Sequence, residues 1–440
     1  MKIMNKLSLL LLLASSVLLG WLLFNPNISS GHIETIGTKY HHISGMALES
    51  CPNVAAAFDN LFERGQESGA SFSAFWRGKK IFDLWGGNRT DNGSPFRKDT
   101  LVNSFSVSKG LHSLVLAMLQ SRTGFEYTDR VSSHWPEFAR NGKENMTIEI
   151  LASHRGGLLA LNNYIHNNAT FNSTYLDSIL AETYPAWIPN GALAGYHPVS
   201  IGWFIDALVR RIDPAQRNIT RFLSEEFKNF SGIEDLELHF HPKYDKNYRL
   251  AYATSARFQN DFNAYTSYLC ESHSYLPSTY TYYKDLFCKA WTNPIQINAD
   301  VFGLNKQENR HVFVPSEFLW TTARTMAAIY GIVASDDKRN LILSDKALEE
   351  ATVEVYRGFD LMTFVKEASY TRAGFEKPTP TNPFAPNNNS FGRAGLGGQL
   401  AFADLDNQLG FAFLTRDMKR YNPNGYLLAK EVYDCIKKLK

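Results

Sequence analysis

A serine and a lysine three residues apart, Ser106 and Lys109, are the residues of this chain whose types and spacing suggest chemistry. A serine hydroxyl is a weak nucleophile until a base lies within hydrogen-bonding distance. Residues three apart share one face of a helix, and a lysine that is partly removed from water can act as that base. The stretch Ser106-Val107-Ser108-Lys109 therefore has the form of the S-x-x-K motif of acyl-transfer enzymes.

The residues that follow the serine predict the helix that this pair needs. Apolar residues recur there at helical spacing: Val107, Leu111, Leu114, Val115 and Met118. Ser106 would then lie in the first turn, where free N–H groups and the helix dipole favour developing negative charge. The motif alone is weakly specific, since Ser335–Lys338 has the same form within a charged turn. A serine here can also simply cap a helix while its lysine faces water.

An acyl-transfer site further needs a proton shuttle and N–H donors for the developing oxyanion. Tyr196 lies at a predicted loop tip just before a helix, where its hydroxyl could move the proton. Leu396 lies in a glycine-rich stretch, and its N–H together with that of Ser106 could form the oxyanion hole. The structural alternatives are an aromatic side chain that packs a loop and a glycine-rich turn. His154 is interpreted as a structural histidine at a helix end.

The composition is that of a folded, nearly neutral protein. The chain has 440 residues, of which 44% are hydrophobic and 20% charged, and 45 Lys and Arg against 43 Asp and Glu leave a net charge of +2. This balance gives no indication of a nucleic-acid partner. A small-molecule or peptide substrate is expected instead. The cysteines lack metal-ligand spacing, and neither a metal nor a cofactor is expected.

The N-terminus predicts export. Lys2 and Lys6 precede an apolar run from Leu7 to Phe24, which is typical of a secretory signal or an uncleaved signal-anchor. No small-x-small cleavage site ends the run, which favours an anchor with the domain in the lumen or outside the cell. Residues 25–50 are interpreted as a linker.

Glycosylation sequons and cysteines agree with that compartment. The sequons expected to carry glycans are Asn88, Asn145, Asn168, Asn172, Asn218, Asn229 and Asn388. The cysteines, Cys51, Cys270, Cys288 and Cys435, allow several pairings, and disulfides are expected among them.

Strand patterns at both ends of the chain enclose a helical middle. Residues 69–76 and 80–85 predict a hairpin, as do residues 399–403 and 409–415, and helices are predicted over 51–68 and 424–438. This order predicts one antiparallel sheet built from both ends, with a helical lobe inserted. The tyrosine-rich residues 235–295 are either a lid over a site or surface decoration.

Several segments together resemble the serine β-lactamase-like family, in particular its class C β-lactamase-type esterases and animal β-lactamase-domain proteins. The segments are Phe105–Gly110, Trp135–Phe138, Ser153–Leu158, Gly195–His197 and Gly392–Gly398. The resemblance covers the chain from about residue 50 onward and implies an α/β (α+β) fold with the active site between two lobes. The domain would be 51–440, with a sheet lobe at about 51–105 and 350–440 and a helical lobe at about 106–349.

The resemblance also implies roles for individual residues. Ser106 would be the acylated nucleophile, Lys109 its base and Tyr196 the proton shuttle, while Leu396 would supply an oxyanion N–H. Arg393 and Gly395 fall where the family carries a substrate-contacting Lys-Thr-Gly or His-Thr-Gly triplet.

Departures from the family pattern bear on the substrate. Pro198 stands where true β-lactamases carry asparagine, Arg393 replaces Lys or His, and Ala394 lacks a hydroxyl. These changes argue against efficient β-lactam hydrolysis and favour an esterase, amidase or peptidase. The alternative is an extracellular scaffold or binding protein that kept the fold and lost turnover.

The same resemblance implies a disulfide pairing. In the family the first and last helices pack side by side, so Cys51 is expected to pair with Cys435. Cys270 is then expected to pair with Cys288.

Overall fold

A seven-stranded antiparallel sheet forms the centre of the computed structural model, in the order β1-β2-β4-β3-β12-β11-β10. The structure describes residues 33–35, 40–163, 165–228, 235–240, 248–254, 285–290, 301–310, 312–419 and 422–440. The strands are β1 Ile33–Thr35, β2 Ile43–Leu48, β3 Gly69–Trp76, β4 Lys79–Gly87, β5 Val102–Asn103, β6 Leu238–His239, β7 Trp320–Thr321, β8 Glu354–Gly358, β9 Ala368–Thr371, β10 Ser390–Gly395, β11 Gln399–Asp404 and β12 Leu409–Thr415.

Helices cover both faces of the sheet and build most of a second lobe. They are α1 Pro52–Glu63, α2 Ser108–Thr123, α3 Val131–His134, α4 Ile148–Ala152, α5 Ser173–Glu182, α6 Ser200–Ile212, α7 Ile219–Phe227, α8 Ala323–Ala334, α9 Asp345–Thr352 and α10 Asn424–Leu439. Residues 285–290 form a further short helix.

The two ends of the chain meet in the middle of the sheet, as predicted. Strand β3 pairs with β12 in antiparallel register, with Phe72 opposite Phe413. The hairpin between β3 and β4 turns at Arg77 and Gly78, whose φ angles of 49° and 69° lie in the left-handed region that glycine favours. The sequence prediction of one antiparallel sheet built from both ends is confirmed.

The outer face of the sheet is closed by the first and last helices. Phe58 of α1 packs edge-on against Phe72, with ring centroids 5.1 Å apart. The predicted Cys51–Cys435 disulfide joins the two helices, with a Cα–Cα distance of 5.6 Å. Cys288 is also disulfide-bonded, whereas Cys270 lies outside the described residues.

The inner face of the sheet packs against α8, which corrects the predicted boundary between the lobes. Residues 106–349 were expected to belong wholly to the helical lobe, but α8 contacts β3, β11 and β12. A side chain on Gly410 would come within 2.1 Å of the Gly331 nitrogen, so helix and strand meet backbone to backbone. The apolar pattern of α8 is the same whether it packs on helices or on a sheet, which is why the sequence could not assign it.

The predicted linker over residues 25–50 is wrong in part, because β1 and β2 extend the sheet. Ile43 and Leu48 of β2 are buried, and β2 pairs with β4. Gly45 permits this close pairing, since a Cβ there would lie 2.0 Å from the Asp83 carbonyl oxygen. The neighbouring histidines and glycines hid this strand in the sequence.

The predictions on export are only partly covered by the structure. Residues 1–24 lie outside the described residues, as do Asn229 and most of 235–295. Within the described ranges no helix is both long and apolar enough to cross a membrane. Asn88, Asn145 and Asn388 are exposed.

Two further sequon residues cap helices. The side chains of Asn172 and Asn218 accept hydrogen bonds from the first turns of α5 and α7. Asn168 lies in a short helical turn over Asn167–Phe171.

Candidate active site

Ser106 lies in a 3₁₀ turn, Phe105–Val107, that leads directly into α2. The turn is strained, because Phe105 has a φ of +45°. It is held from both sides: the Ser104 N–H donates to Leu319 O at 2.8 Å, and Gly395 lies so close that a Cβ would be 2.8 Å from Ser104 O. The end of strand β10 is therefore fixed beside the serine.

Lys109 lies one turn further along and points back at the serine. Its Nζ donates to Ser106 Oγ at 2.9 Å and to Ser316 O at 2.8 Å. The side chain is 3% exposed. The spacing of the motif thus produces the shared face predicted from the sequence, and the lysine does not face water.

Tyr196 also contacts the serine. Its hydroxyl donates to Ser106 Oγ at 2.5 Å. The loop that carries it is anchored by its neighbours: the Gly195 N–H donates to His154 O at 3.0 Å, and His197 Nε2 accepts from the Leu158 N–H at 2.8 Å. The Ser153–Leu158 turn therefore positions the tyrosine.

Glu317 is a member of this cluster that the sequence analysis missed. Its Oε1 lies 3.3 Å from Lys109 Nζ, and its carboxyl also hydrogen-bonds the Ser106 hydroxyl. Burial raises the pKa of this carboxyl, against the lowering effect of the Lys109 charge and the hydrogen bonds. Glu317 is 211 residues from Ser106 in sequence, and no local motif marks it.

Arg393 is fully buried beside the tyrosine, and its predicted substrate contact stays a prediction. Its side chain is 0% exposed and lies 3.4 Å from Glu376 Oε1. Its Nη2 donates to His154 Nε2 at 3.0 Å, and its Cζ lies 5.0 Å from the centre of the Tyr196 ring. The guanidinium thus packs against the tyrosine ring and His154.

The buried histidines around the cluster are neutral. Burial, together with the charge of Lys109, lowers the pKa of His112 to about 3. Burial lowers the pKa of His197 to about 3 as well, although its hydrogen bond to Gly195 O opposes this. Burial and the charge of Arg393 hold the pKa of His154 far below its usual range. The structural role predicted for His154 agrees with these contacts.

Ser106 opens onto a cleft of about 290 Å³ between the two lobes. Tyr196, Glu317, Gly395 and Leu396 line it together with the serine. The structure thus brings the predicted nucleophile, shuttle and oxyanion residues to one cavity, with Lys109 directly beneath. Among the described residues no group of His, Cys, Asp and Glu side chains could hold a metal ion.

Comparisons with known proteins agree with this geometry. The family described as Beta-lactamase matches residues 54–433. A family VIII carboxylesterase structure is 26% identical with a TM-score of 0.75, covering 90% of this chain and 100% of its own. A penicillin-binding protein homolog from Caulobacter crescentus is 27% identical with a TM-score of 0.74, with the same coverage of both chains.

One curated relative is similar over a shorter stretch. The Esterase/beta-lactamase LipL of Mycobacterium tuberculosis is 27% identical over 162 residues, which is 36% of this chain. The match spans 37% of the length of LipL.

Proposed function

The chain belongs to the beta-lactamase family, and from that premise we propose that it is a serine hydrolase that cleaves small esters through an acyl-enzyme. The relatives described as a carboxylesterase and as an esterase/beta-lactamase support the ester as the bond cleaved. Amides and peptide bonds share the same chemistry and are the further substrates to test. A cleft of about 290 Å³ suits a short acyl group.

Ser106 attacks the substrate carbonyl in this mechanism while Lys109 takes up its proton. The oxyanion that forms is stabilised by N–H groups at the end of β10 and the start of α2, from Leu396 and Ser106. Tyr196 passes a proton to the leaving alcohol, which departs as the acyl-enzyme forms. Water then attacks the acyl carbon and releases the acid, returning the proton to Ser106.

One observation carries the proposal: Ser106 Oγ receives hydrogen bonds from Lys109 Nζ at 2.9 Å and from Tyr196 at 2.5 Å. A serine that only caps a helix needs neither of these contacts. Both donors are buried, and the serine between them lines the cleft, so the hydroxyl is oriented towards a substrate.

Hydrolysis of p-nitrophenyl acetate and butyrate by the purified full chain tests the proposal. Activity and labelling by a fluorophosphonate are both expected, and both are expected to disappear in Ser106→Ala. The matched control is Ser335→Ala, because Ser335 belongs to the second Ser-x-x-Lys sequence, which forms a turn after α8. The absence of any ester or lactam turnover and of any adduct in the wild type would favour the scaffold alternative.

We further propose that the domain works in the secretory pathway or outside the cell, anchored by residues 1–24. The Cys51–Cys435 disulfide and the exposed sequons support this location. Treatment with a glycosidase should reduce the apparent mass of the protein expressed in a eukaryotic cell. Recovery of a soluble protein that begins after residue 15 would reverse the proposed anchoring.

A further inference from the structure

Three oxygen atoms surround the amino group of Lys109. An ammonium group has three N–H donors and no acceptor. The Lys109 Nζ faces three oxygen acceptors, namely Ser106 Oγ, Ser316 O and Glu317 Oε1, at 2.9, 2.8 and 3.3 Å. These three acceptors match the three donors of a lysine ammonium group. In that form the lysine can become a base for Ser106 only after one of its protons moves elsewhere.

Glu317 is the one contact of Lys109 that can hold such a proton. Ser316 O is a peptide carbonyl and Ser106 Oγ is the nucleophile, so neither can store it. Glu317 is 8% exposed, and its carboxyl already contacts both Lys109 and Ser106. Its position at the wall of the cleft places it beside the reacting atoms.

The backbone around Glu317 fixes this position. The Ser316 hydroxyl donates to Val199 O at 2.6 Å, and the Glu317 N–H donates to Val314 O at 3.0 Å. Gly202 of α6 lets this turn approach, because a Cβ there would lie 2.5 Å from the Ser316 nitrogen. The carboxyl is therefore held against Lys109 by a turn packed on α6.

We propose that Glu317 is a catalytic residue, the terminal proton acceptor of the Ser106–Lys109 pair. This inference rests on the proposed ester hydrolysis. Lys109 gives one proton to the Glu317 carboxylate and takes the proton of Ser106, so the lysine carries the same charge before and after the step. Glu317 becomes neutral and Ser106 Oγ becomes an alkoxide.

The remaining steps return each proton. The alkoxide forms a bond to the acyl carbon, the carbonyl electrons move to oxygen, and the carbon–oxygen bond to the leaving group breaks as these electrons return. The leaving alkoxide takes a proton from Tyr196, which is left as a phenolate at the wall of the cleft. In deacylation water gives its proton to the Tyr196 phenolate and its oxygen to the acyl carbon. Ser106 Oγ then recovers its proton from Glu317 through Lys109 as the acid leaves.

The charged surroundings of Glu317 set the expected pH dependence. Lys109 on α2 and the Ser106 hydroxyl face it directly, while Tyr196 contacts Ser106 and Arg393 packs on the Tyr196 ring. Because burial raises the pKa of the Glu317 carboxyl above 4.5, kcat/KM should fall as the pH drops towards and below that raised value.

The test compares Glu317→Gln and Glu317→Asp with the wild type, using p-nitrophenyl acetate hydrolysis from pH 4 to pH 8. Glu317→Gln keeps the shape but cannot accept a proton, so kcat/KM should fall roughly 10²–10⁴-fold and its acidic limb should disappear. Glu317→Asp keeps the carboxyl and should retain an acidic limb with more activity than the glutamine variant. Glu237→Gln is the matched control, because Glu237 is a buried glutamate paired with Arg249 outside the cleft.

The outcomes separate this inference from the proposed function. An active wild type whose Glu317→Gln variant keeps both its rate and its acidic limb would overturn the role of Glu317 alone. A wild type without hydrolysis or adduct would overturn the proposed function itself. If Glu317→Gln has a lowered Tm, the Glu317→Asp variant is used to test the inference. A folded Glu317→Asp variant whose pH profile of kcat/KM has no acidic limb also overturns it.

Discussion

Two ion pairs with buried cations lie next to the ring of Tyr196, and they differ in whether the cation can release a proton. Lys109 pairs with Glu317 at 3.3 Å, and Arg393 pairs with Glu376 at 3.4 Å. The two cations are nearly the same distance from the tyrosine ring, with Lys109 Nζ 4.9 Å and Arg393 Cζ 5.0 Å from its centre.

The difference is the chemistry of the cation. A lysine can give up and regain a proton, whereas an arginine keeps its charge at any pH that proteins tolerate. Lys109 contacts the Ser106 hydroxyl, while Arg393 contacts neutral His154 and the Tyr196 ring. The first pair can therefore move a proton, and the second supplies a constant positive charge. Two positive charges at similar distances from the Tyr196 ring therefore have different roles, because one is carried by a lysine and the other by an arginine.

Replacing Lys109 should produce the largest effect and tests the first half of this comparison. Lys109→Ala should lose nearly as much kcat as Ser106→Ala, roughly 10⁴–10⁶-fold, because residues of one catalytic unit are not additive. Lys109→Arg makes the first pair resemble the second and should be almost as inactive, since arginine cannot relay the proton. Steady-state kinetics on the purified variants measures both. A Lys109→Arg variant with near-normal kcat would show that only charge is needed there.

Tyr196→Phe removes the hydroxyl that donates to Ser106 Oγ. We expect kcat to fall by roughly 10²–10⁴-fold, because proton transfer to the leaving group is lost. The loss of kcat should be smaller for an ester with a better leaving group, because that leaving group needs less protonation. An equal loss for p-nitrophenyl and for simple alkyl esters would argue against the shuttle role.

Arg393→Met tests the second pair and should act mainly on stability. Removing one partner of a buried pair typically costs about 3–5 kcal/mol, and partial exposure of Glu376 places the expected loss in unfolding free energy at the lower end, about 3 kcal/mol. Arg393→Lys keeps a charge and should lose less. Urea unfolding measures both. A selective loss of affinity for anionic esters, with unchanged stability, would instead indicate direct substrate contact.

The buried histidines beside these pairs should give the smallest effect, a pH dependence of stability. The pKa of His112 is 6.5 for the free side chain and about 3 in the folded chain. Between about pH 3 and pH 6.5 the unfolded state binds more protons at this histidine than the folded state does. The contribution of His112 to the free energy of unfolding is therefore complete above pH 6.5 and falls on acidification by about 1.4 kcal/mol per pH unit. Urea unfolding between pH 7 and pH 5 measures how the free energy of unfolding changes with pH. This change should be smaller in His112→Gln than in the wild type. Identical changes in the two proteins would mean that this histidine is not the group responsible.

The sequence predicted the elements whose signals are local. The hairpin of β3 and β4, the helix after Ser106 and the Ser106–Lys109 contact all depend on neighbours a few residues apart, and short-range periodicity describes such neighbours well. The Tyr196 contact came from the family resemblance. The order of motifs in the family supplied the long-range information that spacing does not contain.

The residues that the sequence did not reveal depend on contacts between distant segments. Glu317 meets Lys109 across 208 residues, and nothing near it resembles a motif. Arg393 was expected at the substrate from its place in the family motif, but the sequence did not reveal that its side chain pairs with Glu376. The direction of a side chain depends on the partners that the fold supplies, and these partners lay elsewhere in the chain.

The Cys51–Cys435 disulfide has a mechanical consequence. Force applied to the segments before Cys51 and after Cys435 would pass through the covalent bridge, because the bridge joins the two helices that close the outer face of the sheet. Strands β1 and β2 lie before Cys51 at the edge of the sheet and would be peeled away. The cleft and the strands between the two cysteines would carry no tension. A domain tethered to a surface by its N-terminal segment would therefore keep its active site intact under a pull that strips its edge.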